Sequence, residues 1–178
     1  MKKILIISSS NRFNSNSHAM AEAFAKGAES AGNMVEIICL RDKKIEFCRG
    51  CMACVKTNRC LIADDMAEIL AKMHDADILV FASPVFYYNI SGNMKTLLDR
   101  TLPLFGTDYR FREVYLLSAA GEQPNDIEDH SLASIRGWAD CFPGVTVKNC
   151  LYAYGVNLPG EIKDKPILDD ARKMGAEA

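Results

Sequence analysis

The chain has 178 residues, of which 49% are hydrophobic and 25% are charged. This length favours a single domain, covering residues 1–178, with an ample hydrophobic core. A formal net charge of −2 gives no electrostatic case for binding nucleic acid or an anionic membrane surface. The apolar run after Met-Lys-Lys is too short for a secretion signal or a membrane span, so we expect a cytoplasmic protein.

Apolar runs that predict strands alternate with segments of helical periodicity. The predicted strands cover residues 3–8, 35–40, 77–82, 114–118 and 145–152. Helices are predicted over residues 17–30, 92–102, 127–141 and 167–174, and another begins at Asp64 or Asp65, where Asp65 and Glu68 resemble a capping box. This alternation predicts an α/β three-layer sandwich, a five-stranded parallel sheet with helices on both faces. Five units of this length favour the flavodoxin-like strand order 2-1-3-4-5.

That strand order brings together the loops that follow strands one and three. The first of these loops, residues 8–17, is rich in serine and asparagine, carries Arg12, and leads into a helix. Its hydroxyls, amides and guanidinium, with the unpaired N–H groups of a first helical turn, suit a phosphate. It has no glycine and no Lys-Ser/Thr ending, so neither the dinucleotide fingerprint nor the P-loop fits. We therefore expect the phosphate monoester of a mononucleotide cofactor.

The second loop, residues 83–91, carries Phe86, Tyr87 and Tyr88 where an exposed connection would normally be polar. Taken alone, this segment is equally well a hydrophobic plug beneath a helix or part of a dimer contact. Beside a phosphate loop, however, aromatic and amide groups can wall and read a planar heterocycle. Small residues in the loop Ser118-Ala-Ala-Gly-Glu122 allow a close backbone approach to such a ring. FMN fits this combination of loops.

Several motifs resemble the NADPH-dependent FMN reductase family of flavodoxin-like oxidoreductases: Ser9, Arg12, Asn16 and Ser17, then Ser83-Pro84-Val85, Ser91-Gly92-x-x-Lys95 and Asp99-Arg100. The resemblance implies that the FMN phosphate is held by Ser9, Arg12, Ser15, Asn16 and Ser17. It implies that the isoalloxazine ring faces Pro84, Val85, Phe86, Tyr87, Tyr88 and Asn89, and that Ala119, Ala120, Gly121 and Glu122 close its far side. It also implies a homodimer or higher homo-oligomer with the flavin near the interface. We interpret Lys95, Asp99 and Arg100 as an ion-pair set at the helix surface.

Four of the seven cysteines lie in the loop of residues 41–63: Cys48, Cys51, Cys54 and Cys60. Their spacing resembles the compact motif of the iron–sulfur flavoproteins, a branch of the same fold that carries a 4Fe–4S cluster beside FMN. Four thiolates this close can wrap one small inorganic cluster. A loop without metal, a structural zinc site and a disulfide or redox dithiol remain alternatives.

We predict an FMN-dependent oxidoreductase in which the flavin carries the redox chemistry and no protein acid or base is required. Electrons would come from NAD(P)H or a ferredoxin and pass to a quinone, a flavin or another acceptor. The sequence has no basic cluster suited to the 2′-phosphate of NADPH in the loops after strands two to five. One alternative is therefore a 4Fe–4S/FMN electron-transfer flavoprotein that does not use NAD(P)H directly. A second is a non-enzymatic interaction module with a zinc-ordered loop.

Overall fold

The structure is a computed structural model that describes residues 1–123 and 127–178. Its strands are β1 (Lys3–Ser8), β2 (Met34–Cys39), β3 (Ile78–Phe86), β4 (Asn89–Ile90), β5 (Glu113–Ala119) and β6 (Thr146–Ala153). Its α-helices are α1 (Asn16–Ser30), α2 (Ala53–Thr57), α3 (Met66–Asp75), α4 (Gly92–Asp99), α5 (Ile127–Ala139) and α6 (Ile167–Ala176). Short 3-10 helices occur at Leu40–Asp42 and Leu102–Leu104.

The sheet runs in the order β2-β1-β3-β5-β6, and all of these neighbours pair in parallel. The short strand β4 lies off this path and pairs antiparallel with the end of β3. Without β4, this is the predicted flavodoxin-like order, which is thus confirmed. The carboxyl ends of β1, β3 and β5 lie side by side at one edge of the sheet, where ligands bind in open α/β folds.

The core has two layers because successive side chains of a strand point to opposite faces of the sheet. On one face, Ile6 of β1 packs in a cluster with Phe24 of α1. On the other face, Ile7 packs in a cluster with Met73 of α3 and Leu97 of α4. All five side chains are fully buried. Helices on both faces of the sheet therefore hold β1 at its centre, and the loop after β1 starts from a rigid strand.

Helices α1 and α6 pack with direct contact between their backbones. A Cβ atom built on Gly27 of α1 would overlap the carbonyl oxygen of Arg172 in α6. A Cβ atom on Gly175 of α6 would likewise overlap the carbonyl oxygen of Phe24 in α1. Each helix thus needs glycine at the crossing point, and this contact fixes α1, whose N-terminus lies at the carboxyl edge of the sheet.

The predicted third strand, residues 77–82, is too short. Strand β3 continues to Phe86, and its residues Ser83 and Pro84 pair with Ser118 and Ala119 of β5. The following residues turn back into β4, so most of the predicted loop 83–91 is a β-hairpin. The turn was missed because its central residues are both tyrosines, whereas two-residue hairpin turns are normally signalled by Asn-Gly or Asp-Gly.

The predicted capping box before α3 is also wrong. The Asp65 side chain makes no cap hydrogen bond and instead accepts from the backbone N–H of Lys44 at 2.6 Å. It is Asp64 whose carboxylate accepts from the N–H of Met66, at 3.1 Å. Both aspartates are thus used to bind the segment that enters the cysteine loop. Within the described residues, no helix is long and apolar enough to cross a membrane.

Candidate cofactor site and cysteine loop

The loops after β1 and β3 meet at the carboxyl edge of the sheet, as the strand order predicts. Ser9 connects them, because its backbone N–H donates to the Ala82 carbonyl oxygen at 2.9 Å and its hydroxyl lies 2.7 Å from that of Ser91. Ser9 is buried and lines neither of the cavities described below. In this structure Ser9 joins the two loops, and its contact with the phosphate stays a prediction.

A cavity of about 280 Å³, here called the inner cavity, lies against the N-terminus of α1. The first loop contributes Ser10, Arg12, Ser15, Asn16 and Ser17 to its lining. The β3 side contributes Pro84, Val85 and Phe86, and the segment after β5 contributes Ala119 and Gly121. The remaining wall consists of Val156, Asn157 and Pro159. Four of the five predicted phosphate residues are thus brought together here, together with Ser10, which was not predicted.

The N-terminus of α1 supplies donors to the inner cavity. Ser15 is the N-cap residue, and its hydroxyl accepts from the His18 N–H at 3.4 Å and lies 3.1 Å from the Ser17 hydroxyl. The N–H groups of Asn16 and Ser17 belong to the first turn, where a helix offers no internal acceptor. These N–H groups and the positive end of the helix dipole suit the binding of an anion.

The Asn16 side chain is used within the protein. Its amide nitrogen donates to the carbonyl oxygens of Val156 and Leu158 at 3.1 and 2.9 Å, and its oxygen accepts from the Ile162 N–H at 3.2 Å. The side chain therefore holds residues 156–162 against the first loop, and only the backbone N–H of Asn16 remains for a phosphate. Sequence reasoning missed this segment as a cavity wall. Its signal was the pair Gly155 and Gly160, which both have positive φ, 63° and 83°.

Arg12 also contacts this last segment. Its guanidinium donates to the Asn157 carbonyl oxygen at 2.6 Å, and the residue lies at the exposed mouth of the inner cavity. A guanidinium has five N–H donors, so this bond leaves others for an anion. Arg12 can therefore bind a phosphate while it keeps the last segment in place.

A second cavity of about 400 Å³, here called the outer cavity, shares Val85, Phe86, Gly121 and Asn157 with the inner one. Its other walls are Tyr87, Tyr88, Ala120 and Glu122. The Tyr88 hydroxyl donates to the Glu122 carboxylate at 3.1 Å, and this bond raises the pKa of Tyr88. Residues predicted to face the isoalloxazine ring, from the hairpin of β3 and β4 and from the segment after β5, therefore line the same outer cavity.

Asn89 does not line either cavity, although it was predicted to face the ring. Its side-chain oxygen accepts from the Ile90 N–H at 2.7 Å and from the Ser134 hydroxyl at 2.8 Å. Because Asn89 follows the two-residue turn and begins β4, its side chain is directed to α5. The structure assigns it to the support of the hairpin.

The two connected cavities fit FMN by the chemistry of their donors and by their shape. The inner cavity offers a helix N-terminus, hydroxyls and Arg12, which suit a dianionic phosphate. At Gly121, an added Cβ atom would lie 3.3 Å from the Asn157 side chain, so a larger residue would crowd the passage between the cavities. The aromatic and small-residue walls of the outer cavity suit a planar ring.

The four cysteines of the 41–63 loop are free thiols, with Cys48 and Cys51 exposed and Cys54 and Cys60 partly buried. The described residues include no group of three or more His, Cys, Asp or Glu side chains arranged to hold a metal ion. Burial raises the pKa of the Cys54 thiol, and the charges of the other three cysteines add to this effect. The described structure therefore shows four free thiols on one loop and no preformed metal site.

Arg100 is not the surface residue that was predicted. Its side chain is 1% exposed and forms two hydrogen bonds with the Asp64 carboxylate, at 2.8 and 3.0 Å. It also donates to the Glu46 carbonyl oxygen at 2.6 Å. We call this set of contacts the Arg100–Asp64 clasp. Lys95 and Asp99 do form the predicted exposed ion pair, at 2.6 Å.

The Asp64 carboxylate is ionised in the clasp. Burial raises its pKa, but the bonds from Arg100 and from the N–H groups of Glu46 and Met66 outweigh burial and hold the pKa below its usual value. A buried ion pair of this kind is strongly destabilising when one partner is removed, because the other charge stays uncompensated. The clasp therefore joins α4 firmly to both ends of the cysteine loop.

The parallel sheet, the helix N-terminus at its carboxyl edge and the adjoining aromatic cavity define a flavodoxin-like protein with a flavin-type crevice. Residues 2–143 match the family described as NADPH-dependent FMN reductase, and the chain belongs to this family. Both cavities lie beside the loops that follow the first and third strands of the sheet, β1 and β3.

Known relatives include proteins named iron–sulfur flavoproteins. One from Archaeoglobus fulgidus is 29% identical over 99% of this chain and 78% of its own length. Another, from Methanocaldococcus jannaschii, is 36% identical over 57% of this chain, and the match spans only 53% of that relative. Among solved structures, an NAD(P)H:quinone oxidoreductase from Methanothermobacter marburgensis has a TM-score of 0.77 at 23% identity, covering 99% of this chain and 95% of that one. This last similarity supports the fold.

Proposed function

We propose that the protein is an FMN-dependent oxidoreductase that passes electrons from a reduced donor through FMN to a quinone, a flavin or another acceptor. The observation that carries the proposal is the inner cavity at the N-terminus of α1, which shares a wall with the aromatic outer cavity. Bound FMN supplies the ability to accept and release one or two electrons. The chain binds the phosphate at α1, orients the ring between Phe86 and the segment 119–122, and leaves one side open to a second reactant.

A second candidate is a 4Fe–4S/FMN electron-transfer flavoprotein that receives electrons from a small redox protein such as a ferredoxin. Two observations favour it over direct use of NADPH. The outer cavity has Glu122 as its charged wall residue and no Lys or Arg among its described lining residues, so it lacks cations for the phosphates of a dinucleotide. The loop also carries Cys48, Cys51, Cys54 and Cys60, which are the residue type that such clusters use, although the described structure does not group them as a metal site.

Absorption spectroscopy with iron, zinc and sulfide analysis, on protein purified without oxygen, tests the cofactors. We expect flavin bands and about four irons and four sulfides per chain, the composition of a 4Fe–4S cluster. Flavin without iron would support the plain FMN reductase and contradict the cluster. A colourless protein that does not bind added FMN, with or without zinc, would contradict both and support an interaction module.

Stopped-flow reduction of the flavin by NADH, NADPH and reduced ferredoxin then identifies the donor. We expect fast reduction by ferredoxin and slow reduction by both nucleotides, because the outer cavity lacks cations. Fast turnover with either nucleotide would instead support the reductase with NAD(P)H as co-substrate.

We also propose a homodimer in which a second copy covers the open side of the outer cavity. The hairpin presents Phe86 and Tyr87 to solvent at 51% and 100% exposure, and Phe13 lies exposed on the first loop. Large exposed aromatic groups around a cavity are typical of a protein contact. Light scattering after size-exclusion chromatography tests this, and a Tyr87→Asp variant should then become monomeric.

A further inference from the structure

We propose that Glu122 makes the outer cavity select uncharged and cationic electron acceptors over anionic ones, and that Tyr88 is a positioning residue for the Glu122 carboxylate. The inference rests on the proposed function and narrows its acceptor to one class. That class is an uncharged quinone rather than a second flavin mononucleotide, whose phosphate is an anion. Two features of the described residues support it: a hydrogen bond across the outer cavity and the charges that surround this cavity.

The hydrogen bond between Tyr88 and Glu122 connects two sides of the outer cavity. Tyr88 belongs to the turn between β3 and β4, whereas Glu122 lies shortly after the end of β5. The Tyr88 hydroxyl donates to the Glu122 carboxylate at 3.1 Å, and both residues line the cavity. This bond and the charge of Glu122 raise the pKa of Tyr88, so its hydroxyl keeps the proton at neutral pH. The pair therefore holds one negative charge at the wall.

The other charges beside the outer cavity do not cancel that of Glu122. The described lining residues include no Lys or Arg. Glu161 adds a carboxylate behind the wall, since it accepts from the backbone N–H of the lining residue Asn157 at 2.6 Å. Arg12 donates to the Asn157 carbonyl oxygen, but it lies at the mouth of the inner cavity, where the double charge of a phosphate would outweigh its single charge. The outer cavity therefore has a negative potential when FMN is bound.

A negative charge in this position distinguishes acceptors by their own charge. An anion that enters the outer cavity is repelled by the Glu122 carboxylate, whereas an uncharged ring is not. A quinone that takes two electrons and two protons from the reduced flavin becomes a hydroquinone, so an uncharged acceptor stays uncharged in the reaction. An anionic acceptor would be repelled both before and after its reduction.

The test uses three probes of different charge: naphthoquinone, a naphthoquinone sulfonate and a naphthoquinone that carries a trimethylammonium group. Each protein is saturated with FMN, and its flavin is reduced with light and EDTA in the absence of oxygen, so that no biological donor is needed. Stopped-flow reoxidation gives a rate constant for each quinone. Isothermal titration of the oxidised protein gives the dissociation constants, a readout that does not depend on electron transfer. Because substituents also change the potential of a quinone, rate constants are compared between variants for the same quinone.

Three variants separate the charge from its position. Glu122→Gln removes the charge and keeps an oxygen that can accept from Tyr88, and Glu122→Lys reverses the charge. Tyr88→Phe keeps an aromatic wall but lacks the hydroxyl that holds the carboxylate. Glu29→Gln is the matched control, because it makes the same change in net charge at an exposed residue of the last turn of α1, the end away from the inner cavity.

We expect the wild type to bind the sulfonate more weakly than the other two quinones. Glu122→Gln should raise the rate constant and the affinity for the sulfonate roughly 3–10-fold, the size expected for one unit charge a few Å away in water, and leave those for naphthoquinone unchanged. Glu122→Lys should give a larger gain for the sulfonate and a loss for the trimethylammonium compound. All these differences should shrink at an ionic strength of about 1 M, where the screening length is about 3 Å.

Tyr88→Phe should lie between the wild type and Glu122→Gln, because its carboxylate is free to turn toward solvent. Glu29→Gln should behave as the wild type with all three quinones. A gain for the sulfonate in Glu29→Gln as large as in Glu122→Gln would overturn the proposal, since the net charge of the protein would then be responsible.

The remaining outcomes separate this role from the proposed function. A protein that binds no FMN, or whose reduced flavin is reoxidised by none of the quinones, overturns the proposed function and the role of Glu122 with it. Reoxidation by the quinones, with equal values for the sulfonate in the wild type and Glu122→Gln, overturns the role of Glu122 alone. Wild-type values for the sulfonate in Tyr88→Phe overturn the positioning role of Tyr88.

Discussion

Tyr87 and Tyr88 occupy the two central positions of a hairpin turn, and both have positive φ, 49° and 62°. This backbone conformation is normally left to glycine and asparagine, because a side chain in it crowds the following carbonyl group. Tyr87 is fully exposed and Tyr88 lines the outer cavity, so neither is placed there by the hydrophobic core. Strain of this kind is typical of ligand-binding sites.

Replacing the turn by Tyr87→Asn and Tyr88→Gly should stabilise the FMN-free protein and weaken FMN binding. Asn-Gly is the preferred sequence for this turn, and relieving two strained residues should add about 1–3 kcal/mol to the free energy of unfolding. The FMN affinity should fall because an aromatic wall is lost. Urea unfolding and a flavin fluorescence titration measure the two effects.

Asp164→Gly is the matched control, since Asp164 is exposed, has a φ of 63° and lies outside both cavities. It should stabilise the protein and leave FMN affinity unchanged. Unchanged stability of the hairpin variant would show that the turn is not strained. Unchanged affinity would show that the two tyrosines do not contact the ring.

Asn16→Ala should weaken FMN binding through the last segment of the inner cavity. The variant loses the two hydrogen bonds to Val156 and Leu158 and the one from Ile162, at a cost of about 1–3 kcal/mol in unfolding free energy. If these hydrogen bonds also hold the cavity wall in the position that binds FMN, their loss should lower the FMN affinity by about tenfold or more.

Asn11→Ala is the control for that variant because Asn11 belongs to the same loop but is exposed, and its side-chain oxygen accepts a hydrogen bond from the Asn93 side chain at 2.7 Å. Its stability should stay within about 0.5 kcal/mol of the wild type. Equal FMN affinity in the two variants would argue against a role for Asn16 in arranging the site.

Gly27→Ala should destabilise the protein although alanine is the better helix former. The added Cβ would overlap the backbone of Arg172, so α1 and α6 must separate, at a cost of about 1–3 kcal/mol. Gly137→Ala in α5 is the matched control, since no atom lies near its Cβ, and it should stabilise by up to about 1 kcal/mol. Thermal and urea unfolding of both variants measure these effects. An unchanged free energy of unfolding in Gly27→Ala would mean that α1 and α6 can separate at no cost.

His74 should make the stability depend on pH. Its hydrogen bond to Asp75 raises its pKa above the ordinary 6.5, burial opposes this, and Asp108 adds to the rise. Because the folded pKa exceeds the unfolded one, the stabilisation is complete below the unfolded pKa and is lost as the pH rises through the folded pKa. His74→Asn should thus cost more stability at about pH 5 than at about pH 9. Urea unfolding at both values tests this, and an equal cost at the two would refute it.

The layered fold could be predicted because it depends on periodic apolar patterns, which the strands and helices carry along their whole length. Ser83 and Pro84 were assigned to a loop, since nothing local shows that β5 continues far enough to pair with them. Arg100 was misplaced for a related reason. Helix α4 ends at Asp99, and Arg100 leaves the helical path at the C-cap, which turns its side chain inward to Asp64.

The candidate site could be predicted only in its local parts. Serines and an arginine at the start of a helix indicate an anion site whatever surrounds them, and Arg12, Ser15 and Ser17, predicted on this ground, do line one cavity. Val156 and Asn157 line the inner cavity because of contacts with residues far away in sequence. Neither residue type indicates a cofactor site by itself. The roles of Ser9 and Asn16 could not be predicted for the same reason. Their polar groups form hydrogen bonds with residues far away in sequence: Ser9 with Ala82 and Ser91, and Asn16 with Val156, Leu158 and Ile162.

The inner cavity is built from segments that are made at very different times. Asn16 and Val156 are separated by 140 residues. At about 5–20 residues per second, the ribosome produces Val156 roughly 7–28 s after Asn16. Throughout that interval the nascent chain has a first loop but no wall to close it. The complete wall of the inner cavity therefore forms late in synthesis, after the first four strands of the parallel sheet have been made.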